Sequence, residues 1–203
     1  MSSLPSTELP DPEINRIISY WFGGDDLPRK WFQGGAKIDA EIKDQFGGLV
    51  EKARSAQLTS WTQQPQGTLA LIILLDQFPR NIFRGTPLSF STDPMALDIT
   101  TQAIARGADR EVPHIQQPFF YLPLMHHENL ISQAAGCSLY EGLAARCEAG
   151  SQESEFARSS LDFARRHRDC IMKFGRFPSR NEILGRESTP EELEYLKEHP
   201  HGF

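Results

Sequence analysis

The chain has 203 residues, 24% charged and 39% apolar, with a formal net charge of −6. This length and composition suit one globular domain. The acidic balance argues against general nucleic-acid binding, which needs a basic surface to displace counterions. The cations are 15 arginines against 6 lysines, a bias towards planar, forked contacts that structural ion pairs would equally produce. Cys137, Cys147 and Cys170 include no C-x-x-C pair and read as free thiols of a reducing compartment. No basic segment followed by an apolar one marks a secretory leader, and no apolar run approaches the roughly 20 residues that span a bilayer. The expected location is therefore the cytoplasm, with no membrane and no nucleic-acid partner.

Residues 1–10 are small, polar and proline-bearing and read as a flexible arm, with residues 11–203 as a single all-helical domain. Asp11-Pro12-Glu13 is a helix start, with Asp at the N-cap and Pro in the first turn. Ile14, Ile17, Ile18, Trp21 and Phe22 follow at helical spacing up to Gly23-Gly24. Trp21, Trp31 and Trp61 read as core anchors. Ile38, Ile42, Phe46, Leu49 and Val50 carry a second helix to about Ala56, and residues 63–67 a loop. Seven apolar residues, Leu69 to Leu75, then predict a helix from about Thr68 to Gln77. Having no wet face, it should lie at the middle of the fold. Pro79 biases Phe78 out of that helix.

Asp93-Pro94 repeats the helix-start signal, and Gly107 ends that helix. Residues 113–119 read as a loop, after which Tyr121-Leu122-Pro123 opens a long helical stretch that breaks at Gly136 and continues to Cys147. Glu153–Phe174 is a further helix, with His167, Ile171 and Phe174 on one face. Thr189-Pro190-Glu191-Glu192 is a capping box opening a short last helix. No sustained period-2 run of β-branched residues occurs, so the expected fold class is all-α, with about seven or eight helices.

Two segments resemble each other: Phe78-Pro79-Arg80-Asn81-Ile82-Phe83-Arg84-Gly85 and Phe177-Pro178-Ser179-Arg180-Asn181-Glu182-Ile183-Leu184-Gly185. Both follow a helix and both present Arg-Asn after an expected turn at Phe-Pro, which can aim Arg80 and Arg180 at one space. With LALIILLDQFPRNIFRG, FFYLPLMHHENLISQ and HRDCIMKFGRFPSRNEILGRESTPEE, the chain resembles the domain-of-unknown-function 924 family from about Trp21 to Leu196. The resemblance implies stacked antiparallel αα-hairpins of tetratricopeptide-like architecture, although the chain itself shows no 34-residue period. It implies no established activity. The family's motif residues fall here on Asp76, Gln77, Arg80, Asn81, Arg84, Tyr121, His126, Glu128, Gln133, His167, Arg176, Arg180, Asn181 and Arg186. The chain departs from the motifs at Ser179, where a histidine is expected, and at His127, where a serine is expected. Any role needing an imidazole at position 179 is thereby in doubt.

Arginines at helix ends and turns suit a carboxylate or phosphate, each forming a forked, charge-assisted pair. Arg80, Arg84, Arg176, Arg180 and Arg186 are the candidates, with Asn81, Tyr121, Gln133, His167 and Asn181 beside them. The alternative is that Asp76, Glu128 and Glu182 neutralise these guanidiniums in a buried network, since buried charges are costly unless paired. His126 is the candidate general acid or base, oriented by Glu128 or Asp76. His126 and Glu128 themselves diverge by about 200° on a helix and do not share a face. His126-His127 does not match metal-ligand spacing, so no metal is expected. Without a G-x-S-x-G, Walker or G-x-G-x-x-G motif, no cofactor is expected either. Three functions remain open: a helical protein binding a small anionic molecule in an arginine-lined pocket, a cofactor-independent isomerase, cyclase or hydrolase, and a module that docks a protein partner.

Overall fold

A computed structural model describes residues 11–24, 31 and 34–200. The N-terminal arm lies outside the described residues. Within them the regular structure is entirely helical: α1 (Pro12–Phe22), α2 (Ala36–Arg54), α3 (Pro65–Ile72), α4 (Phe78–Ile82), α5 (Asp93–Arg106), α6 (Gln117–His126), α7 (Leu130–Arg146), α8 (Gln152–Phe174) and α9 (Pro190–Glu198), with short 3₁₀ turns between them. A π turn, Ile73–Gln77, joins α3 to α4 as one rod, so eight helical rods build the described fold.

The α3 rod is the centre of the molecule, as its all-round apolar sequence requires. Leu69 to Leu75 are each at most 2% exposed. Elements α1, α2, α5 and α6 pack around this rod. Trp21, Phe46, Phe78 and Phe119 meet in tilted and edge-to-face contacts with ring centroids 5.0–6.1 Å apart. Burying one such side chain stabilises by about 1.5–3 kcal/mol. Trp21 and Trp61 are buried anchors, whereas Trp31 is only half-buried. Gly67 is required at its position, because a Cβ there would lie 2.4 Å from the Trp61 carbonyl oxygen.

Two expected boundaries move. The apolar helix starts earlier, at Pro65 in the first turn, and runs through Phe78-Pro79 to Ile82. Proline inside an α-helix removes one amide donor and clashes with the carbonyl four residues back. Here the π turn widens the rod: the Phe78 amide bonds to the Ile73 carbonyl, five residues back. The Leu75 carbonyl, which residue 79 would have satisfied, accepts the Thr92 hydroxyl at 2.6 Å. Phe78-Pro79 is thus helix interior, whereas Phe177 is extended and Pro178 opens a 3₁₀ turn. The two similar segments do not share a conformation.

The second correction concerns residues 113–147. Helix α6 already begins at Gln117, because Pro118 sits in its first turn, where a proline costs nothing. The break comes at residues 127–129, where Asn129 caps α7 by accepting the Ile131 and Ser132 amides. Gly136 lies inside α7, against Leu124 of α6. Helices α7 and α8, joined by residues 147–151, pack along their length as an αα-hairpin.

Candidate functional site

The π turn delivers Asp76 and Gln77 side by side into the interior, at 0% and 8% exposure. Asp76 accepts from His126 Nδ1 at 2.7 Å and from the Gln77 amide, and it pairs with Arg80 at 3.4 Å. His126 arrives from the last turn of α6. Arg80 forks onto Asp93 at 2.9 and 3.1 Å, and its Nη1 also donates to the Asp76 and Ser89 carbonyls. Arg180, from the 3₁₀ turn after α8, pairs with the same Asp93 at 3.5 Å and donates to the His126 carbonyl at 3.0 Å. Its guanidinium lies between the rings of Phe90 and Phe177, 4.7 and 4.8 Å from their centroids.

The cluster of Asp76, Asp93, Arg80 and Arg180 is formally neutral. Burial alone would raise the Asp76 carboxyl, but the Arg80 charge and the hydrogen bonds from His126 and Gln77 hold it well below the usual carboxylate range. Burial, aided by the Arg80 charge and opposed by Asp76, keeps His126 below the usual histidine range. His167 is pushed the same way by burial, by competition with His126 for a proton, and by the charges of Arg180 and Arg80, against its bond to the Phe163 carbonyl. Both imidazoles are therefore neutral at pH 7. Burial and Arg80 bring Arg180 down to about 10, where it stays charged.

Two concavities flank this cluster. One, of about 600 Å³, has aromatic walls that include Trp31, Phe119, Phe156 and Phe163. Gln77, Arg80, His126, Tyr140, Ser159, Ser160 and His167 form its polar part. The other, of about 620 Å³, is bordered by Arg180, Asp93, Asp98, His127 and Glu128. His126 lines both.

The remaining sequence candidates are placed elsewhere. Arg84 forks onto Asp39 at 2.7 and 2.8 Å, and Asn81 donates to the same carboxylate. Arg176 forks onto Glu192 at 2.7 and 2.8 Å, and Asn181 donates to Glu192 and Ser188. Arg186 forks onto Glu128 at 2.6 and 2.9 Å, while Glu128 also accepts the Phe177 amide. Tyr121 donates to Asp109 at 2.7 Å. Gln133 donates to the carbonyls of Leu124, Met125 and His127, closing the end of α6. None of these groups lines the aromatic cavity; they fasten helix ends to one another. Glu182, expected to neutralise an arginine, has no such pair among the described ion pairs.

Asp93 is the residue that sequence reading passed over. Its Asp-Pro context marked it as a helix start, yet Thr92 holds the N-cap position and the Asp93 carboxylate turns to Arg80 and Arg180. Only the crowding of two arginines onto one acid, invisible in one dimension, signals that role. Trp31 and Phe156 read as core aromatics and Phe119 as part of a loop, so none of them signals a cavity wall. Among the described residues, no group of three or more His, Cys, Asp or Glu is arranged to hold a metal ion. No described helix is long and apolar enough to cross a membrane.

No curated protein matches the chain significantly. A solved structure of a protein of unknown function from Agrobacterium tumefaciens is 38% identical, with a TM-score of 0.78, over 92% of this chain and 98% of that one. The family model described as a bacterial protein of unknown function, DUF924, matches residues 17–200. With sequence, fold and coverage in agreement, the chain belongs to the DUF924 family.

Proposed function

We propose that the chain binds a small molecule with an apolar body in the aromatic cavity and exchanges a proton with its polar head through His126. The observation that carries this reading is the buried Asp76 bonded to His126 Nδ1 at 2.7 Å. An ionised carboxylate accepts, so Nδ1 carries the proton and Nε2, on the opposite ring edge, keeps a lone pair. A neutral imidazole held in one tautomer by a buried acid is an oriented general base. Asp76 is then a positioning residue and His126 the group that meets the ligand.

A fully anionic ligand, the expectation from the arginine content, has less support. Arg80 is the only one of the candidate arginines lining the aromatic cavity, and both of its terminal nitrogens are bonded to Asp93. Arg180 borders the other cavity together with Asp93, Asp98 and Glu128.

The test is a thermal-denaturation screen of small molecules with apolar bodies and varied heads, on wild type and His126→Gln. A ligand at 100 times its Kd adds ~2.7 kcal/mol, a rise of roughly 5–10 °C at this chain length. A rise lost in His126→Gln supports the reading; no hit, or a hit equal in both proteins, overturns it. Turnover of any such ligand should climb with pH along one limb, with an apparent pKa below the ordinary ~6.5 of histidine, because burial disfavours the imidazolium.

A further inference from the structure

The polar lining of the aromatic cavity, the exposed Ser159 apart, shares one property. Its hydrogens are turned inward, onto the protein. His126 gives its Nδ1 proton to Asp76. Gln77 faces Asp76 with its NH₂ end, the only end a carboxylate accepts from, which turns its carbonyl oxygen away. Ser160 donates to the Phe156 carbonyl at 2.8 Å, and Tyr140 donates to the Pro118 carbonyl at 3.0 Å. Each of these four groups lines the cavity and has a donor engaged elsewhere, so each offers the cavity an acceptor. The terminal nitrogens of Arg80, the strongest donors nearby, are bonded to Asp93, Ser89 and Asp76.

From this we infer the chemical class of the ligand head: a neutral hydrogen-bond donor, an O–H or N–H such as that of a phenol, an alcohol or an amide, carried on an aromatic or aliphatic body. The inference rests on the reading of the aromatic cavity as the binding site and sharpens it. A carboxylate or phosphate head would oppose its lone pairs to those of Gln77 and His126. Relieving that conflict requires protonating His126, against the burial that keeps it neutral. A bare hydrocarbon would leave the same acceptors unpaired on binding, at a cost. A donor head satisfies Gln77 and His126 together, and the proton it shares with Nε2 is the one His126 is oriented to accept.

The experiment compares three probes with one aromatic body, naphthalene, 2-naphthol and 2-naphthoate, at pH 7. Affinities are read by calorimetry, and the site is located by chemical-shift changes at the His126 and Trp31 rings. 2-Naphthol is expected to bind at least ten-fold more tightly than the other two, with shifts at both rings. In Gln77→Leu, shown to be folded by circular dichroism, its advantage over naphthalene should shrink to less than about three-fold. The rank order on the wild-type protein decides the matter even where Gln77→Leu does not fold. Equal binding of naphthol and naphthalene, or tighter naphthoate, with shifts at His126, overturns the donor head but leaves the cavity as the site. Absence of binding by all three, or binding with no shift at either ring, overturns both.

Discussion

Asp76 carries more than its own charge. It fixes the His126 tautomer, orients Gln77 and shares Arg80 with Asp93. Asp76→Asn keeps the shape and removes the charge, leaving Arg80 with one carboxylate and His126 with an amide. Removing one partner of a buried ion pair typically costs 3–5 kcal/mol; the second carboxylate on Arg80 moderates this to about 2–3 kcal/mol, measurable as a lower urea midpoint. Because the Asp76 charge raises the His126 pKa, the same variant should lower it further, read from the imidazole shifts across a pH titration. A His126 pKa that stays put or rises would detach Asp76 from the role assigned to it.

At the scale of elements, the π turn is the device that lets a proline and two polar residues occupy the most buried rod. π turns inside helices are often found at functional sites. Its exposed weakness is the Leu75 carbonyl, which the buried Thr92 hydroxyl satisfies. Thr92→Val preserves the volume and deletes that bond, so an unsatisfied buried carbonyl should cost about 1–3 kcal/mol, visible in the unfolding midpoint with the slope unchanged. At the other end of the chain, Glu192 closes the Thr189 capping box and receives Arg176 and Asn181. Glu192→Ala should cost about 0.5–2 kcal/mol through the cap alone. Hydrogen exchange should accelerate across α9 and residues 175–189 while the α3 rod stays protected, since local opening follows local contacts.

For the whole molecule, the buried histidines set the response to acid. Their folded pKa values lie below those of the unfolded chain. Below ~6.5 the unfolded chain takes up protons that the folded one refuses, so stability is complete above that pH and is lost as pH falls through it. Asp39, Asp76, Glu128 and Glu192, held below their usual ranges, add a second loss below about pH 4. The melting temperature should therefore begin to fall between pH 7 and 5, before ordinary carboxylates titrate. His167→Gln should shrink that first step to the part His126 contributes and leave the second. A wild-type melting temperature level down to pH 5 would contradict the neutral state assigned to both rings.

What the chain's residues settle alone is what depends on local order. An unbroken apolar run has no face to offer water, so Leu69–Leu75 had to be central. Asp-Pro, Thr-Pro-Glu-Glu and glycine endings act within one turn, so α1 and α9 were legible with their N-caps and α5 with its Gly107 end. Pro79 and Pro118 misled, because a proline's meaning depends on who satisfies the neighbouring carbonyl and on whether it falls in a first turn or an interior. The motif residues were visible as a set but not as a map. Arginine pairs with whichever carboxylate the packing brings within about 3 Å, and Asp39, Glu128 and Glu192 come from remote parts of the sequence. Only tertiary structure could separate the arginines that tie helix ends together from Arg80 and Arg180, which converge on Asp93. It alone could turn the donors of His126 and Tyr140 inward, because their acceptors, Asp76 and the Pro118 carbonyl, lie 50 and 22 residues away along the chain.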